Sequence, residues 1–218
     1  LLLPMVSFFI ILVMMYFTHS VDMVFKKTLL EILPWHYLLT QSRVIVTYLR
    51  LLFIPLRQNL DYDYPVFTSF FAPPVFLSVT FLAIILLFSF KLYRHHRLLS
   101  FSIVWFFVTL LPESSLIPIY DVIFEHRLYL PVMGYSLFLA YGLFFFLALR
   151  SLKAWIITMI LLVGAYSLLT YQRNLVWKDE FTLWTDVIRK SPKKARAYIN
   201  RGVAYQAKGL FDQAILDL

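Results

Sequence analysis

The chain has no cysteine, which excludes disulfides, thiolate metal sites and cysteine nucleophiles and leaves the redox compartment open. Only five of its 218 residues are glycine, too few for a glycine-rich nucleotide loop. G-x-S-x-G, a Walker loop and H-E-x-x-H are all missing. Charge is scarce as well, at 15%, against about 25% in soluble domains. What replaces it is apolar: 61% of residues are hydrophobic, 19% aromatic, and the mean hydropathy is +0.76. A water-soluble fold of this size is excluded, because so much apolar surface needs lipid to cover it.

The charges are unevenly spread. Residues 172–218 carry nine Lys/Arg and five Asp/Glu in 47 positions, nearly as many as the 171 before them. A membrane domain over 1–171 therefore precedes a short soluble part. The net charge of +8 sits in short loops and along the tail, so membrane topology accounts for it and nucleic acid is not an expected partner.

Five or six apolar runs suggest spans, taking about 20 residues as the length that crosses the hydrocarbon core. They are Leu1 to Phe17, Thr40 to Leu56, Pro74 to Phe90, Leu98 to Leu111, Pro131 to Leu149 and Ala154 to Tyr171. Arg43 and Arg50 interrupt the second, which either spans or only re-enters. Lys91, Arg94, Arg97, Arg150 and Lys153 fill the short loops after the third and fifth runs, and such loops stay cytoplasmic. Residues 58–73, 112–130 and the tail after Gln172 then face the periplasm or lumen, which agrees with Asp61, Asp63, Glu113, Asp121 and Glu125 in those loops. A multi-pass protein of the bacterial inner membrane is expected. Leu1 opens directly into an apolar run and the last residues stop inside a repeat unit, so the chain reads as a fragment.

From Ala195 the tail resembles a tetratricopeptide repeat. Tyr198, Gly202, Tyr205 and Ala214 fall where the 34-residue pattern places an aromatic, a small residue, an aromatic and a small residue. Gly209 ends the first helix, and Phe211, Ala214, Ile215 and Leu218 make the apolar stripe of the second. Residues 172–194 form a connector and a capping helix, Asp179 to Lys190, and 195–218 a first, truncated repeat. The fold class is all-α, a polytopic helical membrane domain followed by a repeat hairpin. Tyr198, Tyr205 and Phe211 read as packing residues.

The most informative loop runs P-E-S-S-L-I-P-I-Y-D-V-I-F-E-H-R-L-Y-L-P-V-M-G-Y from Pro112 to Tyr135. Glu125, His126, Arg127, Leu128, Tyr129, Leu130, Pro131, Gly134 and Tyr135 make it similar to the transmembrane and tetratricopeptide-repeat O-mannosyltransferase-like family, in its bacterial variant, since His126 separates Glu125 from Arg127. The resemblance implies a GT-C-like multispan fold that moves a sugar from a polyprenyl-phosphate carrier on the outer face, with repeats recruiting an acceptor protein. It places the catalytic acidic residue, acting as base or holding a divalent cation, in a first outer loop that this chain does not include, so no catalytic residue is assigned.

Three constellations remain open between a structural and a binding role. Glu125, His126 and Arg127 either anchor the span entrance, with Glu–Arg pairing, or hold a carrier phosphate or sugar. Arg43, Arg50 and Arg57, seven apart, share one helix face; Arg50 is the deep one, while the others snorkel, or all three serve a lipid-linked phosphate. Asp61 and Asp63 point one way on an extended loop and Tyr62 and Tyr64 the other, giving a solvated loop or a sugar or cation site. The competing function is a non-catalytic membrane scaffold whose repeats assemble envelope proteins; a transporter fits less well, as no inverted repeat is visible.

Overall fold

The computed structural model describes residues 32–112, 114, 118–119, 121–148 and 151–218; the first expected span, Leu1 to Phe17, with Lys26 and Lys27, lies outside them, as do Glu113 and Arg150. The described residues are all-helical. The helices are α1 Pro34–Phe53, α2 Pro73–Tyr93, α3 Arg97–Leu110, α4 Pro131–Leu143, α5 Leu152–Val176, α6 Glu180–Lys190, α7 Ala195–Ala207 and α8 Phe211–Asp217. A 3-10 turn, Glu125–Leu128, leads into α4, and a π-helical turn, Phe144–Ala148, extends it.

Proline sets three of the starts. Pro34, Pro73 and Pro131 each occupy the first helical turn, where the missing N–H costs nothing. Three helices are long and apolar enough to cross a membrane: α2, α4 with its π turn, and α5; α3 is apolar but shorter. Their outer faces carry large exposed side chains, Leu87 and Phe90 on α2 and Ile160 and Leu161 on α5, as lipid-facing surface requires. Between α3 and α4 the contact is close because Gly134 has no side chain. A Cβ there would lie 2.6 Å from the Ser102 carbonyl oxygen. Small residues at such crossings let backbones approach and gain dispersion energy that burial from lipid does not supply.

Ile32, two residues before α1, lines a cavity together with Asp121 and Lys194, and Asn59, six residues after α1, donates to Ser191 Oγ at 2.8 Å. Along its length Gln41 donates to the Val122 carbonyl at 2.7 Å, and the Tyr48 hydroxyl donates to the Phe124 carbonyl at 2.9 Å and accepts from its amide. The helix stops at Phe53, two residues before Pro55, since a residue preceding proline is pushed out of the helical region. Its last carbonyls, which lack intrahelical donors, are met from α5: the Tyr166 hydroxyl donates to Leu52 O at 2.8 Å and is bonded to the Tyr135 hydroxyl at 2.8 Å.

The early stop also corrects the arginine stripe. Arg43 and Arg50 share α1, but Arg57 lies beyond it in a left-handed conformation, φ 58°. The seven-residue spacing survives as arithmetic only.

α7 and α8 form the expected helical hairpin, but Phe211, read as a packing residue, is exposed. Asp179 caps α6, accepting from the Thr182 amide at 2.8 Å, and Phe181 of α6 meets Tyr205 of α7 edge-to-face at 5.0 Å. Gly202 lets Leu218 approach, its absent Cβ being 3.2 Å from Leu218 Cγ, and Gly209 turns the chain at φ +73°. Tyr198 and Tyr205 flank the Arg201 guanidinium, which grips Asp217 at 2.6 and 2.7 Å. In α8 only Ala214 is buried; Phe211 and Ile215 stay exposed, since one repeat has no neighbour to cover them.

Candidate functional site

Three segments that are remote in sequence meet on the repeat-bearing face: the loop after α1, the loop before α4, and the junction between the end of α6 and the start of α7. Glu125 is the hub of one half. Its Oε1 accepts from the Asn59 amide at 2.6 Å and from the Tyr62 hydroxyl at 2.5 Å. Burial, together with the neighbouring Glu125 charge, pushes the Tyr62 hydroxyl well above its usual range, so it stays protonated and donates. Asn59 also donates through Nδ2 to Asp61 O and to Ser191 Oγ, at 2.9 and 2.8 Å, which ties the loop to the end of α6.

The other half is an ion cluster. Asp61, 3% exposed, takes Arg196 Nε at 2.7 Å and Lys194 Nζ at 3.4 Å. Asp121 takes the two terminal nitrogens of Arg196 at 2.9 and 3.2 Å, with Lys194 at 3.8 Å. Burial acts to raise the Asp61 pKa, but the hydrogen bond from Arg196 and the charge of Lys194 outweigh it and hold the carboxyl below its ordinary value. Nearby, Asp186 gathers Arg173, Arg189 and Lys190, fastening α5 to α6, and Lys190 also donates to the Gln58 carbonyl at 2.6 Å.

The residues singled out in the sequence separate here. Glu125 is in the cluster. Arg127 is buried and donates to the Val122 and Asp121 carbonyls at 3.2 and 3.0 Å, with its guanidinium over the Phe124 ring, so its visible work is bracing the loop. His126 stacks on the same ring at 5.0 Å. Asp61 and Asp63 do not act as a pair: Asp61 is buried against Arg196, whereas Asp63 is exposed and contributes its amide, donated to Ser191 Oγ. Among the described residues no three His, Cys, Asp or Glu converge to hold a metal ion.

Arg50 lies elsewhere. It lines an apolar groove of about 390 Å³ between α1 and the spans, with Phe53, Phe81, Phe88, Phe106 and Tyr135, and donates to the Leu56 carbonyl at 3.0 Å. The sequence does not announce this groove, since its aromatics are spread over four helices. Arg196 and Lys194 are the other residues that sequence reasoning passes over. The one signal for them is charge complementarity, a basic K-K-A-R run at 193–196 facing acidic loops.

Half of the chain is similar to named proteins. Residues amounting to 55% of it are 34% identical to "Protein O-mannosyl-transferase Tmtc3" of Drosophila melanogaster, and 56% are 32% identical to "Protein O-mannosyl-transferase Tmtc2" of the same fly. Human "Protein O-mannosyl-transferase TMTC3" is 30% identical over 48% of the chain. These are the kind of protein to which the Glu125–Tyr135 stretch pointed. The matched part spans only 13% of each fly protein and 12% of the human one. No family model matches the chain, and no solved structure matches it significantly.

Proposed function

We propose that this chain is part of a membrane glycosyltransferase that takes a sugar from a polyprenyl-phosphate carrier at the outer membrane face and passes it to a protein engaged by the repeats. The observation that carries the reading is the apolar groove with Arg50 in its wall. An isoprenoid tail matches the groove's apolar, phenylalanine-rich lining, and Arg50, whose stem lines the groove while its guanidinium donates to the Leu56 carbonyl, is the cation next to it for a phosphate. Glu125, held by Asn59 and Tyr62, stands ready to orient sugar hydroxyls. The similarity to named O-mannosyl-transferases supports the transferase class. The Lys/Arg-rich loop at Lys91 to Arg97 supports an outward face for the repeats, and a bacterial inner membrane remains our assignment for the host bilayer. A divalent cation would have to be held largely by residues beyond those described.

One observation favours the alternative of a non-catalytic scaffold: Asp61 and Asp121 are both engaged by the repeat through Arg196. Titration of sugar-free polyprenyl phosphate into the purified protein separates the two. Arg50→Gln is expected to weaken binding about ten- to a hundred-fold, the loss of a charge-assisted hydrogen bond, with Arg50→Lys intermediate. Equal affinity of wild type and Arg50→Gln would leave the scaffold standing.

A further inference from the structure

Charge is matched at one end of the helical bundle and unmatched at the other. On the repeat-bearing face basic side chains are paired: Asp186 takes Arg173, Arg189 and Lys190, while Asp61 and Asp121 take Lys194 and Arg196. The end away from the repeat has no such arrangement. Residues 64–112 and 126–178 contain no Asp or Glu, so α2 to α5, the turn between α2 and α3 and the turn between α4 and α5 supply no carboxylate. Lys91, Arg94, Arg97 and Lys153 are all exposed there, and none has an anionic partner among the described residues.

Packing brings these cations from two hairpins to one place. Glu125 belongs to the loop cluster and α4 starts soon after it at Pro131; Phe145, about 21 Å further along at 1.5 Å per residue, meets the His96 ring at 4.4 Å. The turn after α2 is thereby seated on the far end of α4. The Ser151 amide donates to the Leu147 carbonyl at 2.7 Å and Trp155 packs edge-on against Phe144 at 5.7 Å, which brings the first turn of α5, with Lys153, to the same end. Beside the cations the surface is apolar. Phe90, Leu98 and Leu152, each next to one of them in the chain, are exposed, and the Arg97 guanidinium rests over the Tyr93 ring at 5.8 Å. A partner must therefore be anionic where it meets the basic turn and apolar where it runs along the helices. A soluble anion meets only the first condition, and a neutral lipid only the second.

We propose that the turn between α2 and α3, together with Lys153 at the start of α5, binds the head group of an anionic phospholipid whose acyl chains lie along the adjoining helices. The site is independent of the transferase reading, since none of the four cations lines the groove. It also asks more of these residues than topology does. Charges that only direct insertion show no lipid preference once the protein is assembled, whereas a head-group site goes on selecting one lipid over another.

The absence of cysteine permits a local measurement. Bimane on Leu152→Cys, in the purified full chain reconstituted in phosphatidylcholine bilayers, is quenched by brominated-chain phosphatidylglycerol or brominated-chain phosphatidylcholine. At low salt phosphatidylglycerol is expected to quench at a mole fraction about five-fold lower or less, and near 1 M salt, where the screening length is about 3 Å, at the same one. The triple variant Lys91→Gln, Arg94→Gln, Arg97→Gln should lose most of the preference, while Arg94→Lys, Arg97→Lys keeps it. The wild-type salt series needs no change at these cations, so a triple variant that misfolds does not block the test. Equal quenching by the two lipids in wild type overturns the site, as does a preference unchanged in the triple variant with native circular dichroism. A preference of the same size at bimane on Tyr171→Cys, towards the other end of α5, would make it a property of the whole surface and also overturn it. Relief of quenching by glycerol 1-phosphate at constant ionic strength would make this a soluble-anion site instead. Loss of the preference in Arg50→Gln but not in the triple variant would move the anion to the groove, sinking this site while sparing the carrier reading.

Discussion

Arg196 Nε donates to Asp61 Oδ2 at 2.7 Å, joining the first repeat to a loop 135 residues earlier. With Asp121 gripped by the same guanidinium, Arg196 bridges two loops of the membrane part, alongside Lys194, which reaches the same two carboxylates. Asp61→Ala leaves a buried cation network short of a partner. It should loosen the repeat by about 1–3 kcal/mol, discounted from the range for fully buried pairs because Arg196 is partly exposed. Faster protease cleavage between Trp177 and Ala195 reads this directly, and a double-mutant cycle with Arg196→Ala should show coupling. Additive single effects would mean that the ion pair does not hold the repeat.

The pH dependence of that bridge has a definite sign. Asp61 titrates below its ordinary value, so its contribution is fully present above the usual aspartate pKa of about 3.9 and is lost as pH falls through the lower folded value. Repeat protection should be flat from pH 8 to about pH 4.5 and collapse only in stronger acid. A midpoint near pH 6 would point to a histidine instead.

Topology can be checked without removing native cysteines, since there are none. Single cysteines at exposed Leu33 and Lys193 should react with a membrane-impermeant thiol reagent from the same side, and His95→Cys from the opposite side. If α1 spanned, Leu33→Cys would label together with His95→Cys.

Much of this was legible beforehand, and the misses have a common cause. Periodicity and length gave α2, α4 and α5 to within about five residues, because a span must be long and apolar whatever packs against it, whereas the run read as a span at Leu98 to Leu111 forms α3, whose 14 residues fall short of one. The repeat was legible because small and aromatic residues recur at fixed offsets, and Gly202 and Gly209 have the close approach and positive φ that demand glycine. Whether α1 crosses or re-enters depends on where Ile32 and Asn59 emerge, a long-range fact absent from local hydropathy. Likewise, nothing in Q-N-L-D-Y-D-Y-P says that Asp61 is reserved for Arg196 while Asp63 faces solvent.

Two glycines in the spans should respond oppositely to alanine. At Gly134 the added carbon meets backbone at 2.6 Å and cannot be accommodated by a rotamer change, so Gly134→Ala should cost about 1–3 kcal/mol. Gly164 has nothing within 4 Å, and Gly164→Ala should leave stability unchanged or slightly raised. Thermal denaturation in one detergent suffices, and equal shifts would contradict the α3–α4 approach.

A helix end packed against other helices takes its missing donors from them. Tyr166 supplies one to Leu52 O and is bonded to Tyr135, so Tyr166→Phe removes a bond from a part-buried helix end. Membrane-protein hydrogen bonds average about 0.6 kcal/mol and reach about 1.7, and a site at a helix terminus belongs at the upper end. Tyr171, exposed on the same helix, is the control: Tyr171→Phe should be neutral. Because α1 also lines the groove, Tyr166→Phe should weaken polyprenyl-phosphate binding by letting Phe53 drift, while Tyr171→Phe does not. Loss of stability without any change in carrier affinity would confine Tyr166 to the fold and separate the helix end from the groove.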